Sequence, residues 1–168
     1  MVELYTQDFL RNKEEFEKIK QKLLIFLGKN TFIEHVGSTA IPNMVGKNII
    51  DILIGAENEQ EFEIFSKKIA ENGYFPSLKS KTNIYQFFAS SEKETTIGDS
   101  HIHLVIKKTE RFEEFILLKN YLLKNKKEAE DYSNYKKQIL TSGKVNRSEY
   151  REVKSKYVSC LIEKAKKS

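Results

Sequence analysis

Three segments of the chain carry side chains that could do chemistry together, and the first is Gly37-Ser38-Thr39. A glycine lets the backbone approach a ligand closely, and the two residues after it supply hydroxyls. Their N–H groups would open a helical turn, which is a ready site for a phosphate oxygen. A plain strand-to-helix connection with Ser38 as its cap explains the same residues. Lys47, further along, could bind that phosphate or pair with Asp51.

Asp51 is the second candidate, because it interrupts the otherwise apolar run 49–54. An unpaired carboxylate in such a strand costs several kcal/mol, so a lysine, a set of hydrogen-bond donors or a metal ion must compensate it. Strand alternation places Ile49, Asp51 and Leu53 on one face. A structural salt bridge to Lys47 and a functional carboxylate are both consistent with this position.

His101 and His103 form the third candidate, a His-x-His pair on a predicted strand. Alternation puts both imidazoles on the same face. Two such rings can bind a metal ion, bind an anion when protonated, or exchange protons near neutral pH. A partly buried pair satisfied by backbone carbonyls is the structural alternative. His35 lies just before the Gly37-Ser38 turn and is the remaining histidine of the chain.

The elements that must position these residues follow from periodicity and capping residues. Helices are predicted over 8–27 with Gly28 as the C-cap, over 58–72, after Thr109, and at about 127–140 and about 147–166. Strands are predicted over 31–36, 49–54, 84–89 and 101–106, with a turn-rich stretch over 37–48 and a polar loop over 91–100. Short strands followed by a helical tail indicate an α+β fold rather than a doubly wound sheet.

Composition narrows the class of protein. The chain has 168 residues, of which 39% are hydrophobic and 32% are charged, so a single domain over 1–168 is expected, with a sheet core in 1–106 and a helical portion in 107–168. No window approaches the roughly 18 apolar residues of a membrane span, and the N-terminus lacks a signal-peptide pattern. The single cysteine, Cys160, excludes a disulfide framework and is predicted to be a small core residue. A cytoplasmic location is therefore expected.

The net charge of +5 is unevenly distributed. Residues 1–106 contain 12 Lys/Arg and 15 Asp/Glu, a balance of −3, whereas residues 107–168 contain 17 and 9, a balance of +8. The basic third indicates either a polyanionic partner or a lysine-rich solvated surface. If the ligand is a polyanion, the tail helices must fold back onto the site, with Lys119, Lys136 and Lys154 as the first candidates to contact it.

The same residues, taken in order, resemble the GrpB family. The resemblance rests on Glu34-His35-Val36-Gly37-Ser38-Thr39-Ala40-Ile41-Pro42, then Lys47-Asn48-Ile49-Ile50-Asp51, then His101-Ile102-His103-Leu104-Val105, and it continues weakly into the final helix. It implies a nucleotidyltransferase-like fold of the DNA polymerase beta type, in which a mixed sheet is flanked by helices and followed by a helical C-terminal portion. In that superfamily Gly-Ser holds the nucleotide phosphates, and strand carboxylates bind Mg²⁺ ions that activate the attacking hydroxyl.

The resemblance implies the following roles. Asp51 and His103 would be catalytic, Asp51 would also bind Mg²⁺ or Mn²⁺, and His35, Gly37, Ser38, Thr39, Lys47 and His101 would bind the substrate.

The chain departs from the superfamily pattern at the metal site. Leu53 stands where a second acid would fall, and His101 and His103 stand on the later strand in place of a third carboxylate. Asn48 replaces an expected proline, and Tyr85-Gln86 stands where an arginine is expected. If that arginine contacts a phosphate in relatives, either the contact is lost here or Lys79 or Lys81 supplies it from the preceding loop. The resemblance therefore predicts the fold more firmly than the reaction.

Three functions are consistent with these residues. The first is a nucleotide-binding, nucleotidyltransferase-like protein with a degenerate metal site, which binds a nucleotide or another phosphorylated ligand and transfers a nucleotidyl group. The second is a non-catalytic module that binds a phosphorylated ligand or RNA. The third is a metal-dependent hydrolase that uses His35, His101, His103 and Asp51.

Overall fold

The computed structural model describes residues 4–91, 100–141 and 146–168. In chain order the elements are β1 (Tyr5–Thr6), α1 (Phe9–Leu27), β2 (Phe32–Val36), a 3₁₀ turn (Ser38–Ala40), β3 (Val45–Gly46), β4 (Ile50–Ala56), α2 (Glu59–Glu71), β5 (Phe75–Ser77), a second 3₁₀ turn (Leu78–Ser80), β6 (Tyr85–Ala89), β7 (Ser100–Ile106), α3 (Glu110–Lys124), α4 (Lys126–Thr141) and α5 (Arg147–Lys166).

A mixed sheet of five strands forms the centre of the described structure, in the order β2-β4-β7-β6-β5. β4 and β7 run parallel, and the other neighbouring pairs run antiparallel. The register places Asp51 beside Val36 on one side and beside His101 on the other. β1 and β3 form a separate two-stranded ribbon next to the Ser38–Ala40 turn.

One face of the sheet is covered by α1 and α2. Their apolar side chains meet those of β4 and β7, and Ile52, Phe62 and Ile102 at the centre have no exposed surface. Both helices begin where the sequence indicates, because Asp8 and Asn58 accept hydrogen bonds from the first-turn N–H groups.

The opposite face is covered by the three C-terminal helices. Phe112 at the start of α3 packs with Val36, Leu53 and Val105 of the sheet. A second apolar cluster joins α3, α4 and α5 to the segment between the 3₁₀ turn and β3; its buried members are Ile41, Met44, Leu122, Ala129, Tyr132 and Leu161. The basic third of the chain therefore packs against the sheet.

The predicted α+β class, with a mixed sheet flanked by helices and a helical C-terminal portion, is confirmed. The short strands β1, β3 and β5 were not predicted, because two or three residues carry too little alternation to be recognised. Most of the predicted polar loop, 92–99, lies outside the described residues, and Ser100 already belongs to β7. The single-domain assignment stays a prediction.

Candidate functional site

The Gly37-Ser38 turn begins directly after β2 and lies against the carboxylate of Asp51. Gly37 has φ 73° and ψ −170°, and a Cβ there would lie 2.3 Å from Oδ2 of Asp51. Both the backbone angles and the space require glycine at this position. A Cβ at Gly46 would similarly lie 2.1 Å from Oγ of Ser38, so the Ser38 side chain lies directly over β3.

Asp51 faces both residues of the His-x-His pair. Its Oδ1 lies 3.4 Å from Nδ1 of His101 and 3.6 Å from Nε2 of His103. Adjacent parallel strands with alternating side chains bring the three groups to one face. The spacing predicted the shared face of His101 and His103, and the register of β4 beside β7 adds Asp51 to it. Asp51 is only partly buried, and the compensation expected for its carboxylate is supplied by imidazoles.

A hydrogen-bonded chain continues from His103 to Tyr85 on β6. The Tyr85 hydroxyl lies 2.9 Å from Nδ1 of His103, and the guanidinium of Arg111 lies 5.0 Å from the centre of the Tyr85 ring. With Nδ1 accepting from the tyrosine O–H, Nε2 of His103 carries the proton and points it at Asp51. Tyr85 and His103 are thus hydrogen-bonded, and the carboxylate of Asp51 lies 3.6 Å from the far nitrogen of that imidazole.

The pKa values of these groups agree with that assignment. Burial alone would raise the pKa of Asp51, but hydrogen bonds from His101 and His103 outweigh it and hold the pKa below its usual range. Burial lowers the pKa of His103 despite the nearby carboxylate. At neutral pH Asp51 is ionised and His103 is a neutral imidazole that can still accept a proton.

Nε2 of His101 is buried and has no hydrogen-bond partner among the described residues. The ring lies edge-on to Phe87, with 4.8 Å between the ring centres. Buried polar atoms nearly always have a hydrogen-bond partner, so a polar group is expected beside this nitrogen at the edge of the site.

His35 and Thr39 lie elsewhere. His35 pairs with Ile52 in the strand register and therefore points to the opposite face. Its ring stacks on Phe16 of α1 at 4.7 Å, and its Nε2 lies 2.9 Å from Oγ1 of Thr39. Both side chains are buried. The structure thus separates His35 from His101 and His103, and the predicted substrate contacts of His35 and Thr39 have no geometric support.

A pocket of about 510 Å³ opens between this sheet face and the C-terminal helices. Among the described residues that line it, six side chains are cationic, namely Lys47, Arg111, Lys119, Lys136, Arg151 and Lys154, and two are carboxylates, Asp51 and Glu114. Gly37, Ser38, His101 and His103 line the same pocket. The three lysines proposed from the charge asymmetry are thus brought to the site by α3, α4 and α5.

Lys119 is already paired inside this pocket, because its amine donates to Glu34 of β2. Arg111 lies on the outer part, near Glu114. Lys81, the expected substitute for a missing arginine, pairs instead with Glu63 at 3.2 Å. Arg111 from α3 is the cation that the structure places beside Tyr85.

The side chains present do not fit a two-Mg²⁺ or two-Mn²⁺ site. Leu53, at the position of the second acid, has no exposed surface. Among the described residues no group of three or more His, Cys, Asp or Glu side chains is arranged to hold a metal ion. Hard divalent ions take several oxygen ligands, and Asp51 offers one carboxylate that already faces two histidines.

Sequence reasoning missed Tyr85, Arg111 and Arg151. A tyrosine in an aromatic strand and arginines in amphipathic helices have ordinary packing or solvation roles, so no sequence signal marked them. The assignment of Cys160 to the core was wrong: it is exposed on α5, because the buried stripe of that helix passes through its neighbour Leu161.

The geometry can be set beside known proteins. The family model described as GrpB protein matches residues 2–164. This chain belongs to the GrpB family. The chain is 28% identical over 153 residues to the glutamate-rich protein GrpB of Alkalihalophilus pseudofirmus, covering 89% of this chain and 88% of that protein. It is also 28% identical over 155 residues to YqkA of Bacillus subtilis, covering 92% of this chain but only 44% of YqkA.

Solved structures agree with the fold. The conserved GrpB protein of Enterococcus faecalis superposes with a TM-score of 0.80 at 24% identity, covering 98% of this chain and 96% of that chain. A structure of the Cid1 poly(U) polymerase with MgGTP bound matches at a TM-score of 0.46 and 10% identity, covering 71% of this chain and 39% of that chain. The first likeness shows the GrpB fold, and neither likeness assigns an activity.

Within residues 4–91, 100–141 and 146–168, no helix combines the length and the apolarity that crossing a bilayer requires.

Proposed function

We propose that this GrpB protein binds a nucleotide or a closely related phosphorylated small molecule in the pocket between the sheet and the C-terminal helices. The observation that carries the proposal is the excess of cationic side chains among the described residues that line one pocket, six against two carboxylates. Such an excess favours a ligand with several negative charges. A pocket of about 510 Å³ lies within the usual range for small-molecule sites, about 300–1,000 Å³.

The pocket lining contains groups that suit both parts of such a ligand. Ser38, Lys47, Arg151 and Lys154 all line the pocket, the last two on α5. These hydroxyl, amine and guanidinium donors suit phosphate oxygens. The aromatic side chains Phe87 and Phe115 in the same lining suit a planar base.

A binding measurement tests the proposal directly. Isothermal titration of the purified protein with ATP, GTP, CTP and UTP, each with and without Mg²⁺ or Mn²⁺, should show at least one ligand that binds. Lys47→Met should weaken that binding about tenfold, the effect of losing one charge-assisted contact. Lys166→Met is the matched control, because Lys166 pairs with Glu110 at 3.1 Å on the outer surface. Absence of binding by all four nucleotides at millimolar concentration would contradict the proposal.

Transfer of a nucleotidyl group is the second candidate, and the Tyr85–His103–Asp51 chain favours it. An acceptor hydroxyl placed at Tyr85 would give its proton to the tyrosine oxygen as Tyr85 passes its own proton to His103. The imidazolium so formed would be stabilised by Asp51. The alcohol oxygen would then bond to the α-phosphorus, and pyrophosphate would leave.

Pyrophosphate release tests this reaction. The nucleotide that binds is incubated with an oligoribonucleotide bearing a free 3′ hydroxyl, and in parallel with an aminoglycoside. Tyr85→Phe and His103→Asn should lower the rate about 100-fold or more, the usual contribution of a positioned acid or base, while nucleotide affinity changes less than about threefold. No pyrophosphate release by the unmodified protein with either acceptor would remove transfer to these acceptors and leave the binding function standing.

A further inference from the structure

Lys136 is a buried lysine in the wall of the pocket. Only 3% of its surface is exposed, although the other pocket lysines, Lys47, Lys119 and Lys154, are all partly exposed. Its amine donates to the carbonyl of Val45 on β3. An ammonium group has three N–H donors, so the carbonyl uses one of them.

No carboxylate among the described residues forms an ion pair with Lys136. Its other close neighbour is the ring of Tyr132, whose centre lies 4.6 Å from the amine. A buried ammonium without a paired anion is costly. The amine is nevertheless held at the wall of a pocket whose other cations suit an anion.

The charges around Lys136 add to this cost. The charged and titratable groups that line the same pocket on other elements are Lys154, Arg151 and Tyr150 on α5, Lys119, Arg111 and Glu114 on α3, Lys47 after β3, Asp51 on β4, Tyr85 on β6, and His101 and His103 on β7. Burial and then the positive charge of Lys154 lower the pKa of Lys136 to about 7, against a smaller opposing effect of Asp51. In the free protein the amine therefore loses its proton as pH rises above neutrality.

We propose that Lys136 is the innermost cation of a polyphosphate subsite, and that its amine takes up a proton when the polyphosphate chain of a ligand binds. No carboxylate among the described residues pairs with the amine of Lys136, so a phosphate oxygen of the ligand supplies the negative charge that stabilises the protonated amine in the complex. This inference rests on the proposed nucleotide-binding function and adds the part of the ligand that Lys136 recognises. It assigns the phosphate chain, rather than the base, to the α4 side of the pocket.

Proton uptake gives the affinity a specific pH dependence. Below the pKa of the free amine, Lys136 is already charged and binding requires no proton. Above it, each bound ligand takes up close to one proton, and affinity falls up to about tenfold per pH unit, because one proton is linked to binding. Terminal phosphate groups, with a pKa of about 6, are almost fully deprotonated at about pH 8 and above, so the ligand does not supply the proton uptake measured there.

The experiment is calorimetric titration with ATP between about pH 6.5 and about pH 9. Each titration is run in two buffers of different ionisation enthalpy, so that the number of protons exchanged is measured. We expect proton uptake to approach one per ATP at about pH 8. Lys136→Met should weaken binding at pH 6.5 by about tenfold or more and should abolish the uptake.

Lys154→Met is the matched control, since Lys154 lines the same pocket but is partly exposed. It should also weaken ATP binding, but it should retain proton uptake, with the midpoint moved to higher pH because a neighbouring positive charge is gone. A second measurement needs no substitution. In the unmodified protein labelled with ¹³C at the lysine ε-carbon, the Lys136 resonance should titrate near pH 7 and move to higher pH with saturating ATP.

The outcomes separate the two proposals. ATP binding with equal proton uptake in the unmodified protein and in Lys136→Met would overturn the role of Lys136 and leave nucleotide binding intact. A Lys136 resonance that does not change its titration midpoint when ATP is bound would overturn it as well, even if the methionine variant does not fold. Failure of the unmodified protein to bind any of the four nucleotides would instead contradict the proposed function itself.

Discussion

Ile52 and Asp51 are neighbours in β4 but face different surroundings. Ile52 has no exposed surface and lies in the apolar core under α1 and α2. Asp51 points to the opposite face, where its carboxylate meets His101 and His103 at the edge of a cationic pocket. Because alternate residues of a strand share a face, one short strand can supply both a structural core and a chemical site.

The histidines on the two faces of the sheet also make different contacts. On the core face His35 is stacked on Phe16 and bonded to Thr39. On the pocket face His103 is bonded to Tyr85 and faces Asp51. The imidazole of His35 is fixed by packing in the core, whereas the imidazole of His103 is hydrogen-bonded to a tyrosine and lies beside a carboxylate.

The largest expected effect tests whether stability resides on the core face. Ile52→Ala should lower the free energy of unfolding by about 4 kcal/mol, because it removes methylene groups and leaves a cavity in a fully buried cluster. The matched change Asp51→Asn, which keeps the volume, should lower it by only about 1 kcal/mol. Urea unfolding of both variants measures the difference. Equal destabilisation by the two changes would mean that the pocket face is as structural as the core.

The next effect concerns the turn that covers Asp51. Gly37→Ala should lower the free energy of unfolding by about 3 kcal/mol, because a side chain there is strained and collides with the carboxylate. Gly73→Ala is the control: Gly73 has φ 90°, and nothing lies within 4 Å of its added Cβ. It should cost about 1 kcal/mol from backbone strain alone. Similar costs for both would show that the turn can move away from Asp51.

The third effect compares the two histidines in acid. Burial and then the charge of Lys119 lower the pKa of His35 to about 4, whereas an unfolded histidine titrates near 6.5. Between these values the unfolded state binds more protons, so stability is full above about pH 6.5 and falls toward pH 4. The loss is up to about 1.4 kcal/mol per pH unit, or about 2 kcal/mol by pH 4.5.

His35→Gln should remove this part of the pH dependence, measured as the free energy of unfolding in urea at a series of pH values. His103→Gln should change the slope less, because Asp51 favours the charged imidazole and opposes the effect of burial on the pKa of His103. A slope that His103→Gln alters more than His35→Gln would reverse the roles assigned to the two faces.

Local sequence patterns predicted most of the helices and strands, whereas contacts between residues far apart in the sequence could not be predicted. The cap residues Asp8 and Asn58 and the alternation around Asp51 are encoded within a few positions, and the structure follows them. The face on which His35 lies depends on where β2 is placed beside β4, which no local pattern states. Tyr85 was missed for the same reason, because its partner His103 is 18 positions away.

The candidate site was predicted in part. Spacing placed His101 and His103 on one face of their strand, but their meeting with Asp51 depends on β4 pairing with β7, which no local pattern states. The charge asymmetry correctly pointed to Lys119, Lys136 and Lys154 as pocket cations. Their individual states could not be predicted: the ion pair of Lys119 with Glu34 and the burial of Lys136 both depend on how α3 and α4 pack on strands far away in sequence.

The smallest expected effect concerns two neighbouring residues of a helix that, like Asp51 and Ile52 in β4, have different surroundings. Cys160 and Leu161 are neighbours in α5, yet Cys160 is exposed and Leu161 is 1% exposed. Cys160→Ser should therefore change the free energy of unfolding by no more than about 0.5 kcal/mol, whereas Leu161→Ala should cost about 3 kcal/mol. Titration of the folded protein with a thiol reagent should modify Cys160 without denaturant. A thiol that reacts only after unfolding would place Cys160 inside, and the α5 stripe that passes through Leu161 and Ile162 would have to be rotated accordingly.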